Sequence, residues 1–288
     1  MREQRRNVRL GLPKGRMQDR VVELLGAAGV GVELGERTYR PRVELAGFEA
    51  KLLKPQNVVE MLHVGSRDLG FAGADWVAEL DGDLVELLDT GLDPVRVVAA
   101  APAGSDVEVP RDRPLVVASE YARLARRWIA DRGLDATLVR SYGATEVFAP
   151  EDADVIVDNT ATGVTLQANG LVVIDELMRS STRLYANPAA LGDPGIRASI
   201  EDLVLLLRSV LEARRRVMLE LNVPADLLDR VVAILPCMRK PTLARLHEED
   251  GYAVRVAVPR TELPGLIPRI RCLGGTDLIV SSPEQIVP

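Results

Sequence analysis

Cysteine is scarce: Cys237 and Cys272 are the only two among 288 residues, and no CxxC spacing joins them. That excludes a disulfide framework and a thiolate zinc site, and leaves two free thiols in a reducing compartment. The two histidines, His63 and His247, stand far apart in the chain and cannot build a zinc site by themselves. Aromatic residues make up 3%, so a core has to come from the Val, Leu, Ile and Ala that dominate the 47% hydrophobic fraction. No apolar run approaches the roughly 20 residues of a membrane-spanning helix. The charged start Met1-Arg-Glu-Gln-Arg-Arg6 has no apolar segment behind it of the kind a secretion signal needs. Basic excess is missing too: the net charge is −6, which argues against a general nucleic-acid binder. The expectation is a soluble cytoplasmic protein without nucleic-acid or membrane partners.

The most informative stretch is Ala153-Asp-Val-Ile-Val-Asp-Asn-Thr-Ala-Thr-Gly-Val-Thr-Leu166. The β-branched run Val155–Val157 marks a strand inside a sheet. Asp154 and Asp158 bracket it, Thr160, Thr162 and Thr165 supply hydroxyls, and Gly163 lets the backbone approach a ligand closely. Amides at the start of a following helix favour a phosphate. An acid followed by such a cradle suits a sugar phosphate, with the carboxylate on the ribose hydroxyls and the bend on the 5′-phosphate. The bend is neither a P-loop nor a dinucleotide fingerprint, because no Gly-Lys-Ser/Thr or GxGxxG lies there.

Three further motifs sit at strand ends. Leu12-Pro-Lys-Gly-Arg-Met17 opens the first helix with Lys14 and Arg16, two cations that oppose the helix dipole unless a polyphosphate binds there. In Gly70-Phe-Ala-Gly-Ala-Asp-Trp76, Asp75 can serve as a helix cap, and Gly73 can leave bare backbone for a purine or a sugar. Trp76 reads as core rather than as a stacking platform. Lys54, Tyr121 and Arg123 also fall at strand ends or helix starts, where α/β proteins place ligands.

Hydrophobic periodicity gives the order of elements. Strands are expected at Asn7–Leu12, Phe48–Leu53, Leu69–Ala72, Val95–Ala101, Leu115–Ala118 and Ala136–Arg140. Helices are expected at Gly15–Ala28, Val58–His63, from Ala74, and at Tyr121–Asp131, with Pro102, Gly104 and Pro110 punctuating the chain. Two α/β lobes would leave a cleft between them. Pro188–Pro194 reads as a turn or linker, and Arg197–Arg216 as the longest helix. The last segment reads strand (Val217–Leu221), helix (Ala225–Ile234), two strands (Thr242–Leu246, Tyr252–Val258), helix (Thr261–Leu273, short or bent at Pro264 and Pro268) and strand (Asp277–Val280). That is the ferredoxin-like order.

With these residues in view, the chain resembles the long form of the ATP phosphoribosyltransferase family over nearly its whole length. The resemblance runs through the Leu-Pro-Lys-Gly-Arg start, the Gly-Phe-Ala-Gly-Ala-Asp segment and the Tyr121–Trp128 helix. It is strongest in the signature at 153–171, and continues in Ser180–Pro188 and in Pro236–Leu246. It implies a two-lobed periplasmic-binding-protein-like catalytic core (1–95 with 189–214, and 96–188) and a ferredoxin-like, ACT-like regulatory domain (215–288). It also implies joining ATP, through adenine N1, to phosphoribosyl pyrophosphate with loss of pyrophosphate, as the first step of histidine biosynthesis. Mg²⁺ held mainly by the substrate pyrophosphate, inhibition by histidine, and a homo-hexamer built from dimers come with it.

Carried onto this chain, the catalytic residues would be Asp154, Asp158, Lys14 and Arg16. Glu146, Asp158, Thr160, Ala161, Thr162, Gly163, Val164 and Thr165 would bind phosphoribosyl pyrophosphate. Leu12, Lys14, Gly15, Arg16, Lys54, Gly73, Asp75 and Tyr121 would bind the nucleotide, and Thr242 would belong to the effector site. The family usually has Thr where Ala72 stands and a basic residue where Val164 stands, and Pro150-Glu151-Asp152 replaces a glycine-bearing stretch. The alternative reading is a two-lobed small-molecule sensor on the same scaffold without catalysis.

Overall fold

The computed structural model describes residues 6–35, 38–105, 107 and 112–287. The charged residues 1–5 and Pro110 lie outside them. Two compact units result: residues up to Glu23 together with Val30–Glu201, and Leu24–Gly29 together with Asp202–Pro288.

In chain order the first unit's strands are β1 (Val8–Pro13), β2 (Val32–Glu33), β3 (Arg42–Val43), β4 (Phe48–Leu53), β5 (Leu69–Gly73), β6 (Val85–Pro102), β7 (Leu115–Ser119), β8 (Ala136–Arg140), β9 (Val155–Thr160) and β10 (Leu171–Ala186). Its helices are α1 (Gln18–Ala27, which runs on into the segment grouped with the second unit), α2 (Pro55–His63), α3 (Ala74–Leu80), α4 (Ala122–Asp131), α5 (Val164–Ala168), α6 (Pro188–Gly192) and the start of α7 (Pro194–Arg215).

Eight strands form one sheet in the order β4-β1-β5-β10-β6-β9-β7-β8. Its two ends are parallel: β1 runs with β4 and β5, and β7 runs with β8 and β9. The long antiparallel strands β6 and β10 join these halves. Each half alternates strand and helix, as expected of an α/β unit.

Local sequence explains each half. In the first, α2 carries Pro55 at its first turn, where the missing N–H costs nothing, and buries Val58, Val59 and Leu62. It lies directly on β5: a Cβ on Gly70 would come 2.7 Å from Val58 Cγ1. In the second, the 97–101 run alternates. Val97, Ala99 and Ala101 pack with Trp128 and Tyr121 on one face, while Val98 and Ala100 pack with Ile156 and Leu166 on the other.

Three expectations change. The strand expected at Val95–Ala101 extends back to Val85, and the 171–186 stretch is one continuous strand paired with it. Pro188–Gly192 is a short helix rather than a linker, because Asn187 Oδ1 accepts from the amides of Ala189 and Ala190 and so caps it.

The second unit holds the rest of α7, then β11 (Arg216–Pro224), α8 (Leu228–Val232), β12 (Thr242–Arg245), β13 (Gly251–Pro259), α9 (Leu263–Cys272) and β14 (Thr276–Ser281). Its antiparallel sheet has the order β12-β13-β11-β14, the ferredoxin-like arrangement expected. The alternating β11 residues Val217, Leu219, Leu221 and Val223 pack against Val231, Leu266 and Ile270. Pro264 sits in the first turn of α9 and Pro268 inside it. Among the described residues no helix is long and apolar enough to cross a membrane.

Candidate active site

The β9–α5 junction makes the first of two adjoining cavities in the first unit. β9 is buried through Val155–Val157 and turns polar at its C-terminal end. There Thr160 Oγ1 accepts from the Gly163 amide at 3.0 Å, and Gly163 takes φ 82°, which only glycine adopts cheaply. The resulting bend encloses about 260 Å³, lined by Glu146, Asp158, Asn159, Thr160–Leu166 and Arg16. The wall is mainly polar: hydroxyls and amides from the bend, two carboxylates and one guanidinium.

Asp158 is the perturbed acid. Burial pushes its carboxyl up to about 6; Glu120 and Glu146 add to the rise, and hydrogen bonds from the Asn159 amide and Thr145 oppose it.

A second cavity of about 130 Å³ adjoins the first, and Arg16 and Asn159 line both. Lys14, Gly73, Asp75, Trp76, Asp93 and the Ser180–Thr182 run also line it, with Met17, Pro55 and Val95 as its apolar part. The Lys14 ammonium lies 4.2 Å from the centre of the Tyr39 ring. Asp75 is buried and fully engaged: Tyr121 Oη and Ser180 Oγ each donate to it at 2.6 Å. Burial, with Asp75 beside it, drives the Tyr121 phenol far above its ordinary pKa, so it stays a donor. Asn159 Nδ2 donates to the same phenol oxygen at 2.9 Å.

Every residue expected at the ribose donor, Glu146, Asp158 and Thr160 to Thr165, lines the first cavity. Of those expected at the nucleotide, Lys14, Arg16, Gly73 and Asp75 line the second. Leu12, Gly15 and Lys54 line neither, and Tyr121 is fully buried behind Asp75. Trp76 does line the cavity, but it also stacks on Tyr121 with ring centres 4.7 Å apart.

Asp154 is corrected. It precedes β9 at the end away from the bend, where it takes Arg113 at 2.7 and 2.8 Å and the Val116 amide at 2.8 Å. Five strand residues lie between it and Thr160, too far for it to reach a ribose whose phosphate sits in the bend. Thr242 is exposed on β12 in the second unit.

Sequence reasoning missed Asn159, Asp93 and the buried hydroxyl run Ser180-Ser-Thr182 as cavity residues. The burial of that run, and its hydrogen bonds to Asp75, Asp89 and Asp93, appear only in the fold.

A larger cavity of about 370 Å³ lies elsewhere, beside Trp128, Arg132 and Asp175. Trp128 and Arg132 both donate to Asp175, so these polar groups are turned toward one another.

The family profile described as ATP phosphoribosyltransferase matches residues 54–209, more than half of the chain. The chain belongs to the ATP phosphoribosyltransferase family. A second profile, for the C-terminal domain of these enzymes, matches 213–284, which makes it the long form. ATP phosphoribosyltransferases of Pelotomaculum thermopropionicum and Desulforudis audaxviator are each 36% identical over 287 residues, covering 98% of this chain and 99% of theirs. An ATP phosphoribosyl transferase (HisG:HisZ) complex from Thermotoga maritima superposes with a TM-score of 0.62 at 24% identity, over 70% of this chain and 98% of that one, which shows shared fold. Membership makes the chain a phosphoribosyltransferase of the first step of histidine biosynthesis and does not favour the non-catalytic sensor reading.

Proposed function

We propose that the two adjoining cavities are the halves of one reaction site. The bend Thr160–Thr165 takes the 5′-phosphate of phosphoribosyl pyrophosphate on its amides and hydroxyls. Asp158, with Glu146 on the same wall, orients the ribose hydroxyls. ATP enters the second cavity over the bare backbone at Gly73, and Lys14 and Arg16 face the phosphates. The lone pair of adenine N1 forms the bond to the anomeric carbon. The bond from that carbon to pyrophosphate breaks, and its electron pair leaves with the pyrophosphate. N1 is neutral before attack, so no base has to deprotonate it, and alignment of two large anions is the main task.

Mg²⁺ fits this donor set. The ion commonly takes one or two carboxylates and completes its shell with water and substrate phosphate oxygens. Glu146 and Asp158 are the carboxylates of the cavity, and no cluster of three ligating side chains occurs among the described residues. Bound there, it would neutralise charge on the departing pyrophosphate.

The reading extends to organisation: lobes 1–95 with 189–214 and 96–188, and a regulatory domain 215–288 that receives histidine near Thr242. The enzyme works in the cytoplasm as a homo-hexamer built from dimers. The observation that carries the proposal is the convergence of Glu146, Asp158 and the threonine bend on one cavity that shares Arg16 and Asn159 with its neighbour. The test is turnover of ATP with phosphoribosyl pyrophosphate, read as pyrophosphate release and abolished by a chelator. Tight binding of either substrate without release of pyrophosphate would return the sensor reading.

A further inference from the structure

Helix α4 is capped from the other half of the sheet. The first amides of a helix have no partner within it and need one from outside. The α4 N-cap position is Tyr121, whose side chain makes no capping bond. The role falls to Glu79 on α3: its carboxylate accepts from the Arg123 amide at 2.9 Å and from the Leu124 amide at 3.0 Å. α3 follows β5 in the first half, and α4 follows β7 in the second.

A carboxylate at a helix N-terminus is favoured both by the charge-assisted bonds and by the dipole. Three more contacts cross at the same place. Tyr121 Oη donates to Asp75, Trp76 stacks on the Tyr121 ring, and the Arg123 guanidinium meets Asp81 at 2.5 Å. Asp75, Trp76 and Glu79 thus present one side of α3 to the start of α4. From Tyr121 the chain of contacts continues to Asn159, which lines both cavities.

We propose that Glu79 is a positioning residue for the transfer reaction: by capping α4 across the two halves it holds the cleft closed and sets Tyr121 and Asn159 between the two cavities. When the halves separate, α4 loses its cap at the same time as Tyr121 loses Asp75, so closure and order of this helix start are one event. Glu79 itself lines neither cavity.

The chain carries its own reporter. Trp76 and Trp128 are its only tryptophans, and only Trp76 sits at this contact. In a Trp128→Phe background, acrylamide quenching of Trp76 reads the separation directly and needs no substrate. Glu79→Ala is expected to increase that quenching and to raise the KM for ATP about fivefold, the factor a typical helix cap contributes to a two-state balance. kcat should change less than KM, and Glu79→Gln, which keeps an acceptor oxygen, should restore most of both. Should the alanine variant not fold, Glu79→Gln is expected to show a smaller shift in the same direction. Unchanged Trp76 quenching and unchanged KM in a folded variant, even with a lowered Tm, would overturn the proposal. Only the kinetic arm rests on the proposed reaction: quenching that rises in a protein without turnover would keep the clasp and sink the reaction instead.

Discussion

Asp158 illustrates how one side chain couples burial to chemistry. Its carboxyl is held up at about 6, so in the folded protein it binds a proton more tightly than in the unfolded chain. The folded state therefore carries more bound protons between the ordinary carboxylate value and about 6, and stability falls as pH rises through that window, then levels off. The proposed reaction runs the opposite way, because there the ionised form is the one that accepts from ribose hydroxyls. kcat/KM for phosphoribosyl pyrophosphate should rise through pH about 6 and flatten above it, a profile that initial rates measure directly. Asp158→Asn should remove the inflection and lower kcat/KM by about 10- to 100-fold, the worth of one or two charge-assisted hydrogen bonds.

Asp154, the same residue type four positions earlier, should behave differently. Its alanine variant leaves the Val116 amide without its acceptor, which lowers stability by about 1 kcal/mol in denaturant melts. The KM for phosphoribosyl pyrophosphate should stay unchanged. Nothing in the sequence separates the two acids except their distance from Gly163; strand length assigns one to the cavity and the other to Arg113.

At the scale of elements, the β9–α5 junction was legible because its signals are local: a β-branched strand, a threonine-rich bend and a glycine where positive φ is required. Gly163→Ala tests it. A Cβ there meets nothing within 4 Å, so the substitution acts through φ alone. The left-handed conformation should cost about 1–2 kcal/mol. The bend should relax away from it and raise the KM for phosphoribosyl pyrophosphate more than the KM for ATP, as two-substrate kinetics can show.

The long strands β6 and β10 were legible only in part. Their apolar stretch, Val95–Ala101, is sheet core, but residues such as Glu86, Asp89 and Arg183 look like loop in sequence and are held in strand by pairing with each other across the ladder. That pairing joins positions about a hundred residues apart, and no periodicity within either segment reports it. The same reason hid Asp93 and Ser180–Thr182 from the site. Glu79 was hidden likewise: it reads as a solvated helix residue, and only the fold brings it to Arg123 and Leu124.

For the whole molecule, the order of elements along the chain was readable in both units: alternating strand and helix in the first, the ferredoxin-like sequence of elements in the second; the central pairing of β6 with β10 was not. What the second unit does is a separate matter, because fold leaves function open. Histidine inhibition assigned to it predicts that Thr242→Ala shifts the inhibition curve while leaving turnover without histidine unchanged, since Thr242 is exposed on β12 and lies in the other unit from the two cavities. An unmoved curve would remove Thr242 from the effector site.

The central claim is that a threonine-bearing bend grips the terminal phosphate of the donor sugar while Asp158 orients its ribose. A crystal structure of the complex with phosphoribosyl pyrophosphate and Mg²⁺ tests it most directly. The account predicts the 5′-phosphate within hydrogen-bond distance of the amides of residues 161–165 and of the Thr162 or Thr165 hydroxyl, with the ribose hydroxyls on Asp158. A donor bound elsewhere, with this bend empty, would contradict it.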